Sequence, residues 1–404
     1  MKKIRHMDYF ILVPYLILCA IGIVMVYSAS AYWVQRQYGA AETKYLVQQI
    51  LFVILGIGTV FFFYKMSLKI LRNRWVLFIL MSTLLVLLVY LILHGRAVNG
   101  ASAWITIGGF RLQPSEFAKM ILIFYLAHML SSRENSFQQE NFRLHQMWQP
   151  PMPKKISRYP KGWQPLFMAG VIMFLVFIEP DTGGFAILFL ITLVVVMSSG
   201  IPMRYGLLWV LGLIATGVLG YYIVSHYHFA GLENNYAYQR LVAAIHPFEK
   251  ANAAGNQVVN SLYAINHGGW FGVGLGMSSQ KLGYLPEPYT DFILAVIAEE
   301  LGLVGTVVIL SLLFFLVMRF FLIGVRSKNT YHTLIAYGIA TMMLVQTIFN
   351  VGAVAGVIPV TGVTLPFISY GGSSMIVLSM AVGIMLNISY HSERTQRKVE
   401  KTHA

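Results

Sequence analysis

Charge is scarce in this sequence. Asp, Glu, Lys and Arg together make up 11% of it, and only 15 residues are acidic. A soluble domain devotes roughly 25% of its residues to charge. A chain with less than half of that cannot cover a water-facing surface, which excludes a water-soluble globular protein. Cysteine is almost absent. The single one, Cys19, permits neither an intrachain disulfide nor a cysteine metal site. It lies inside the first apolar run, which is long and lacks a small-x-small cleavage site, so that run reads as a retained span rather than a removable leader. The net charge is +14, but no compact basic patch interleaved with aromatics exists, and nucleic acid is not the expected partner. No Walker phosphate loop and no short-period repeat is present.

What fills the chain instead is apolar: 57% of the residues are hydrophobic. A bilayer-crossing helix needs about 20 such residues in a row. Ten runs qualify, at 9–32, 45–64, 75–94, 115–131, 164–179, 183–199, 206–226, 291–318, 331–350 and 372–389. The fifth and sixth are parted only by Glu179-Pro180-Asp181-Thr182, a turn or break. Placing the N-terminus in the cytoplasm puts 21 of the 29 Lys and Arg on the inside and 7 outside, with Lys119 within a span. The reverse arrangement violates the positive-inside rule at nearly every loop. The expected fold is therefore an all-α polytopic membrane protein with about ten transmembrane helices and both termini cytoplasmic. It forms a single domain over 1–404, with a basic, proline-rich cytoplasmic loop at 132–163 and a cytoplasmic tail at 391–404. One large extracytoplasmic loop, 227–290, precedes helix eight, and a loop of that length usually carries function.

Ionisable groups in or beside a span are costly and mark functional sites by default. Glu116 and Lys119 lie three residues apart, on one helix face. They suit either an ion pair that pins the helix or a lysine that receives phosphate. Asp181 suits a helix cap after Pro180. Asp291 stands where a polar loop ends and a long apolar run begins. A partly desolvated carboxylate there has its pKa raised toward that of a general base, although Asp at a helix start also reads as an N-cap. Glu299 and Glu300 lie deeper in the same run, with no partners legible from sequence. Glycines punctuate the outer face at Gly268-Gly269, Gly272, Gly274, Gly276 and Gly371-Gly372, allowing close backbone approach and positive φ.

Four stretches carry a resemblance. They are Asn99-Gly100 with Trp104-Ile105 and Gln113-Pro114-Ser115-Glu116-Phe117-Ala118-Lys119; Glu179-Pro180-Asp181-Thr182-Gly183; Tyr284-Leu285-Pro286-Glu287 through Thr290-Asp291-Phe292 and Ala298-Glu299-Glu300; and Asn350-Val351-Gly352 through Thr361-Gly362 to Pro366-Phe367-Ile368-Ser369-Tyr370-Gly371-Gly372-Ser373-Ser374. In this order, across essentially the whole chain, they resemble the SEDS family (shape, elongation, division and sporulation). The stretch Gln280-Lys281 before Tyr284-Leu285-Pro286-Glu287 looks more like the division branch of that family than the elongation branch. Tyr289, Pro288 and Ala103 depart from the usual pattern, where His, Ala and a basic residue are common.

The resemblance implies ten transmembrane helices and a peptidoglycan glycosyltransferase that polymerises lipid II at the outer face of the cytoplasmic membrane. It also implies a class B penicillin-binding protein as partner transpeptidase, other division proteins, and a place at the division septum. Asp291 aligns with the family's essential aspartate and becomes the expected catalytic base. A developing diphosphate needs positive charge or donors. Lys119, Arg240 and Lys281 are the outer-side cations for that task, and Glu116, Glu287, Ser369, Gly371 and Gly372 complete the expected substrate contacts. No cofactor is required by the sequence. The chemistry admits a divalent cation, Mg²⁺ or Mn²⁺, but no ligand cluster demands one. The rival reading is a lipid II flippase, which needs charges at mid-membrane reachable from both sides; here the motifs cluster at the outer ends of spans four, six, eight and ten. A bare scaffold for division proteins leaves Asp291 without a role.

Overall fold

The computed structural model describes residues 7–38, 41–95, 104–107, 110–132, 165–200, 203–227, 236–248 and 255–403. Each of the ten expected runs falls on a helix: α1 (Tyr9–Tyr38), α2 (Lys44–Lys65), α4 (Arg74–His94), α5 (Pro114–Ser131), α6 (Pro165–Ile178), α7 (Thr182–Met197), α8 (Met203–His226), α11 (Ile293–Arg326), α12 (Thr330–Val354) and α13 (Gly372–His403). Between them lie α3 (Leu68–Leu71), α9 (Tyr236–Ile245) and α10 (Asn256–Gly268). Among the described residues, seven helices are long and apolar enough to cross a membrane; α6 and α7 are apolar but shorter. The chain is a mostly helical, multi-pass membrane protein. In hydrocarbon every backbone group must be paired within its own segment, which is why apolar runs of this length become helices.

One expectation needs correction and two gain detail. The fold is not purely helical: Ile105–Ile107 and Phe110–Leu112 form an antiparallel hairpin, β1 and β2, with Ile105 opposite Leu112 and Thr106 opposite Arg111. The segment Ile-Thr-Ile is β-branched throughout and favours a pleated strand. The segment expected as the large extracytoplasmic loop contains α9 and α10. The segment expected as a cytoplasmic tail continues α13 as helix to His403. The basic loop expected at 132–163 lies, apart from Ser132, outside the described residues.

The core is built around α12 and α13, the most protein-covered of the long apolar helices, whereas the apolar span of α8 has no buried residue among those described. α13 packs on α2, and α12 packs on α5, α7 and α11. Polar groups concentrate where protein covers them. Gln346 and Asn350 of α12 and Ser379 and Asn387 of α13 are all buried, and Asn387 Nδ2 donates to the carbonyls of Phe63 and Met66 at 2.9 and 2.6 Å.

α11 is broken at Gly302, whose φ is 67°. The break has a geometric cause. α11 and α12 are tied at one end by Thr333 Oγ1 to the Gly324 carbonyl, 3.1 Å, and at the other by Asn350 Nδ2 to the Asp291 carbonyl, 2.7 Å. At 1.5 Å per residue, α12 covers the stretch from Thr333 to Asn350 in about 26 Å, while an unbroken α11 would take about 50 Å from Asp291 to Gly324. The excess is absorbed at Gly302, and 293–301 runs aslant instead of continuing the lower helix. The opened backbone is re-paired by the glycine-rich segment after α10. Val273 and Gly274 amides donate to the Glu299 and Glu300 carbonyls at 2.9 and 3.1 Å, and Leu303 and Val304 amides donate to the Gly269 and Trp270 carbonyls at 2.9 and 3.1 Å. A Cβ on Gly302 would stand 2.3 Å from the Gly272 nitrogen, so only glycine fits the crossing.

Candidate active site

Asp291 sits two residues before α11, at one end of the bundle. It is not the helix cap. The residue in the cap position is Phe292, with no side-chain cap, and the Asp291 carboxylate instead accepts from Thr290 Oγ1 at 2.9 Å. The same hydroxyl lies 3.5 Å from Glu287 Oε2, so two carboxylates share one small neighbourhood. Glu287 holds φ at 47°, in the left-handed region that non-glycine residues seldom occupy. Burial pushes the Asp291 carboxyl above the usual carboxylate range; the Thr290 hydroxyl opposes this, Glu287 reinforces it, and the Arg240 charge opposes it. Arg240, carried by α9, donates from Nη1 to the Val360 carbonyl at 3.0 Å. Of the three expected phosphate-binding cations, Arg240 is the one whose charge acts on Asp291.

The segment 361–374 is a hub around this carboxylate. Asn350 Nδ2 bridges the carbonyls of Asp291 and Val363 at 2.7 and 2.9 Å. The Tyr370 amide donates to the Tyr289 carbonyl at 2.9 Å, and its hydroxyl to Gln48 at 2.6 Å. Tyr289 stacks on Tyr45 with ring centres 4.6 Å apart. The expected substrate contacts here have structural duties. Ser369 Oγ accepts from the Leu365 amide at 2.8 Å. Gly372 lets the Phe52 ring approach, since a Cβ there would meet the ring at 2.5 Å. Gly371 has ordinary space, its Cβ meeting Thr364 at 3.5 Å. Asn350 and Tyr370 emerge as positioning residues that their motif placed without assigning a role.

Glu116 and Lys119 form the expected pair at 2.7 Å, with Lys119 almost wholly buried. The second Glu116 oxygen has no hydrogen-bond partner among the described residues. Asp181 caps α7 as expected, accepting from the Gly184 amide at 2.7 Å. Its other oxygen accepts from Ser115 Oγ at 2.7 Å and Gln113 Nε2 at 3.2 Å, which fastens the start of α5 to the start of α7. The Gln113 amide donates to Ser373 Oγ at 3.0 Å and joins both to the hub. Glu179, in the short connection before α7, is fully buried with neither oxygen partnered among the described residues. Burial, aided by Asp181, pushes its carboxyl up to about 8.

Lys281 takes a different place from the one expected. Its Nζ lies 2.6 Å from Glu300 Oε1 and 2.9 Å from Ser28 Oγ, almost completely buried, so the charge is spent on an internal pair rather than offered to a diphosphate. Glu300 also accepts from Ser28 at 2.7 and 2.8 Å. Its neighbour Glu299 gathers the amide and hydroxyl of Ser279 at 3.0 and 2.8 Å, the Ser278 hydroxyl, and His267 Nδ1 at 2.8 Å. The two glutamates clamp the loop that leads to Asp291. Among the described residues no group of three or more His, Cys, Asp or Glu could hold a metal ion.

Fold and site define a multi-pass membrane protein with a carboxylate centre at one end of its helix bundle. The FtsW/RodA/SpoVE family, described as cell cycle protein, matches residues 9–394. The chain belongs to this family. It is 36% identical to a probable peptidoglycan glycosyltransferase FtsW of Enterococcus hirae, over 98% of this chain and 96% of that protein. Among solved structures it matches a chain of a peptidoglycan synthase complex that coordinates polymerization and crosslinking, with a TM-score of 0.71, 26% identity, and coverage of 96% of this chain and 98% of that one. The rod shape determining protein RodA of Thermus thermophilus matches with a TM-score of 0.63 and 26% identity, over 95% and 97% of the two chains.

Proposed function

We propose that this protein is a peptidoglycan glycosyltransferase that polymerises lipid II into glycan strands at the outer face of the cytoplasmic membrane, at the division septum. Family membership and the glycosyltransferase relatives support the reaction class. The observation that carries the mechanism is that Asp291 caps no helix yet stands part-buried, with a raised pKa, beside Arg240. In this reading Asp291 takes the proton from the GlcNAc 4-hydroxyl of one lipid II. The oxygen attacks the MurNAc anomeric carbon of the growing chain, and undecaprenyl diphosphate leaves with inversion. A base of this kind contributes about 10²–10⁴-fold. Arg240 is the cation best placed for the developing diphosphate charge, with the Glu116–Lys119 pair of α5 a further candidate. A divalent cation, Mg²⁺ or Mn²⁺, would supply further neutralisation of the leaving group, but the described residues hold no group of three or more His, Cys, Asp or Glu to bind it. The proposed topology has ten spans and both ends cytoplasmic, supported by the charge bias of the loops and by a helix on each apolar run. The partner is a class B penicillin-binding transpeptidase, supported by the match to a synthase complex.

The test is purified protein, with and without that partner, given labelled lipid II and examined for glycan strands. Asp291→Asn should fold normally and lose at least about 100-fold in polymerisation, since the amide accepts no proton. Near-normal strand synthesis by folded Asp291→Asn protein refutes the mechanism. Loss of lipid II delivery to the outer face with in vitro polymerisation intact would favour the flippase.

A further inference from the structure

The segment Gly269–Tyr284 carries Trp270, Phe271, Leu275 and Met277 outward, uncovered by protein; Phe271 is 83% exposed, Met277 70% and Trp270 69%. In water such a cluster is a liability. Its place in the fold explains it. The carbonyls of Gly269 and Trp270 are bonded to the amides of Leu303 and Val304, so the cluster rests on the point where α11 turns into its long lower helix. Directly below, Leu303, Val304 and Val307 are themselves outward-facing and apolar, on a helix that crosses the membrane. The segment's one charged residue, Lys281, is turned inward onto Glu300, so no charge faces out. The stretch of α11 from Gly302 to Gly324 spans about 33 Å, no less than α12 needs from Thr333 to Asn350, which sets Gly302 near the level of Asp291.

We infer that this lip is an interfacial anchor, its occupant the outermost acyl-chain layer of the outer leaflet just beneath the headgroups. Tryptophan beside aromatic and aliphatic side chains is the composition that favours this layer. The apolar lip continues the lipid-facing stripe of α11 without a polar gap, which argues for lipid over a water-facing protein partner. A mechanical consequence follows. Glu299 binds Ser278 and Ser279 and Glu300 binds Lys281, so the anchored lip and the loop carrying Asp291 are one clamped unit. The lip fixes the height of the carboxylate relative to the membrane surface. The anchor depends only on α11 crossing the bilayer and not on the reaction proposed above.

The experiment places a nitroxide at position 271 in Cys19→Ala/Phe271→Cys protein, reconstituted without partner in phosphatidylethanolamine–phosphatidylglycerol vesicles. Power saturation then compares relaxation by oxygen, which partitions into lipid, with relaxation by a water-soluble nickel chelate. Met277→Cys and Trp270→Cys serve as second and third sites should one variant fail to fold, and Leu303→Cys is the lipid-facing reference. Expected is strong relaxation by oxygen and weak relaxation by the chelate at 271 and 277, ranking with 303. Relaxation mainly by the chelate would place the lip in water and overturn the inference. Weak relaxation by both would mean that protein covers it, and would equally overturn it.

Discussion

Replacing Lys281 with Met separates an internal ion pair from a substrate contact. Lys281 Nζ and Glu300 Oε1 are 2.6 Å apart, their side chains 7% and 0% exposed. Removing the lysine leaves Glu300 with the Ser28 hydroxyl as its remaining donor, bonded at 2.7 and 2.8 Å. Stranding one member of a buried pair costs roughly 3–5 kcal/mol, whereas replacing both members with apolar or neutral groups of similar volume is close to neutral. Folded proteins have only about 5–15 kcal/mol in hand, so Lys281→Met alone should sharply lower the yield of monodisperse protein and its thermal midpoint. Lys281→Met/Glu300→Gln should recover most of that loss, because the amide keeps the bond to Ser28 without a charge. Thermal midpoints are read by fluorescence-detected size exclusion, and polymerisation is then measured at matched folded protein. If Lys281 served the diphosphate, the double variant would be well folded and inactive. That result would refute the assignment of its charge to the fold.

Three further outcomes are expected. The raised pKa of Asp291 means that a base which must be ionised gains activity as pH rises, so the acidic limb of the pH–rate profile should lie above the ordinary carboxylate range; a limb at or below that range refutes the assignment. Glu179, raised to about 8 in the fold against 4.5 unfolded, holds its proton where the unfolded chain has released it. Stability therefore falls as pH rises through that window and levels off above about 8, by up to a few kcal/mol at 1.36 kcal/mol per unit. Glu179→Gln should flatten this decline in thermal midpoints between pH 5 and 8, and an unchanged slope would mean that the group ionises freely. Gly302→Ala places a Cβ 2.3 Å from the Gly272 nitrogen at a φ of 67° and should abolish monodisperse expression, whereas Gly58→Ala, with open space around it, should be silent.

The positions of the apolar helices were legible in the sequence, because solvation by lipid is a property of each run on its own: about 20 apolar residues in succession settle their environment whatever lies elsewhere. The pairing of Glu116 with Lys119 and the cap at Asp181 were legible for the same reason, since their partners lie three residues away. The Asp291 motif was visible too, but its chemistry was not. A carboxylate at a helix start and one held off the helix by Thr290 have the same sequence, and only the packed loop chose between them. Lys281 looked like an outer cation because its partners, Glu300 and Ser28, stand 19 and 253 residues away. The break at Gly302 likewise needs backbone from 269–274, brought back against α11 by α10. Long-range partners decide what becomes of a buried charge or an opened peptide, because inside a membrane neither can be left to solvent, and the chain alone does not say which distant group will answer it.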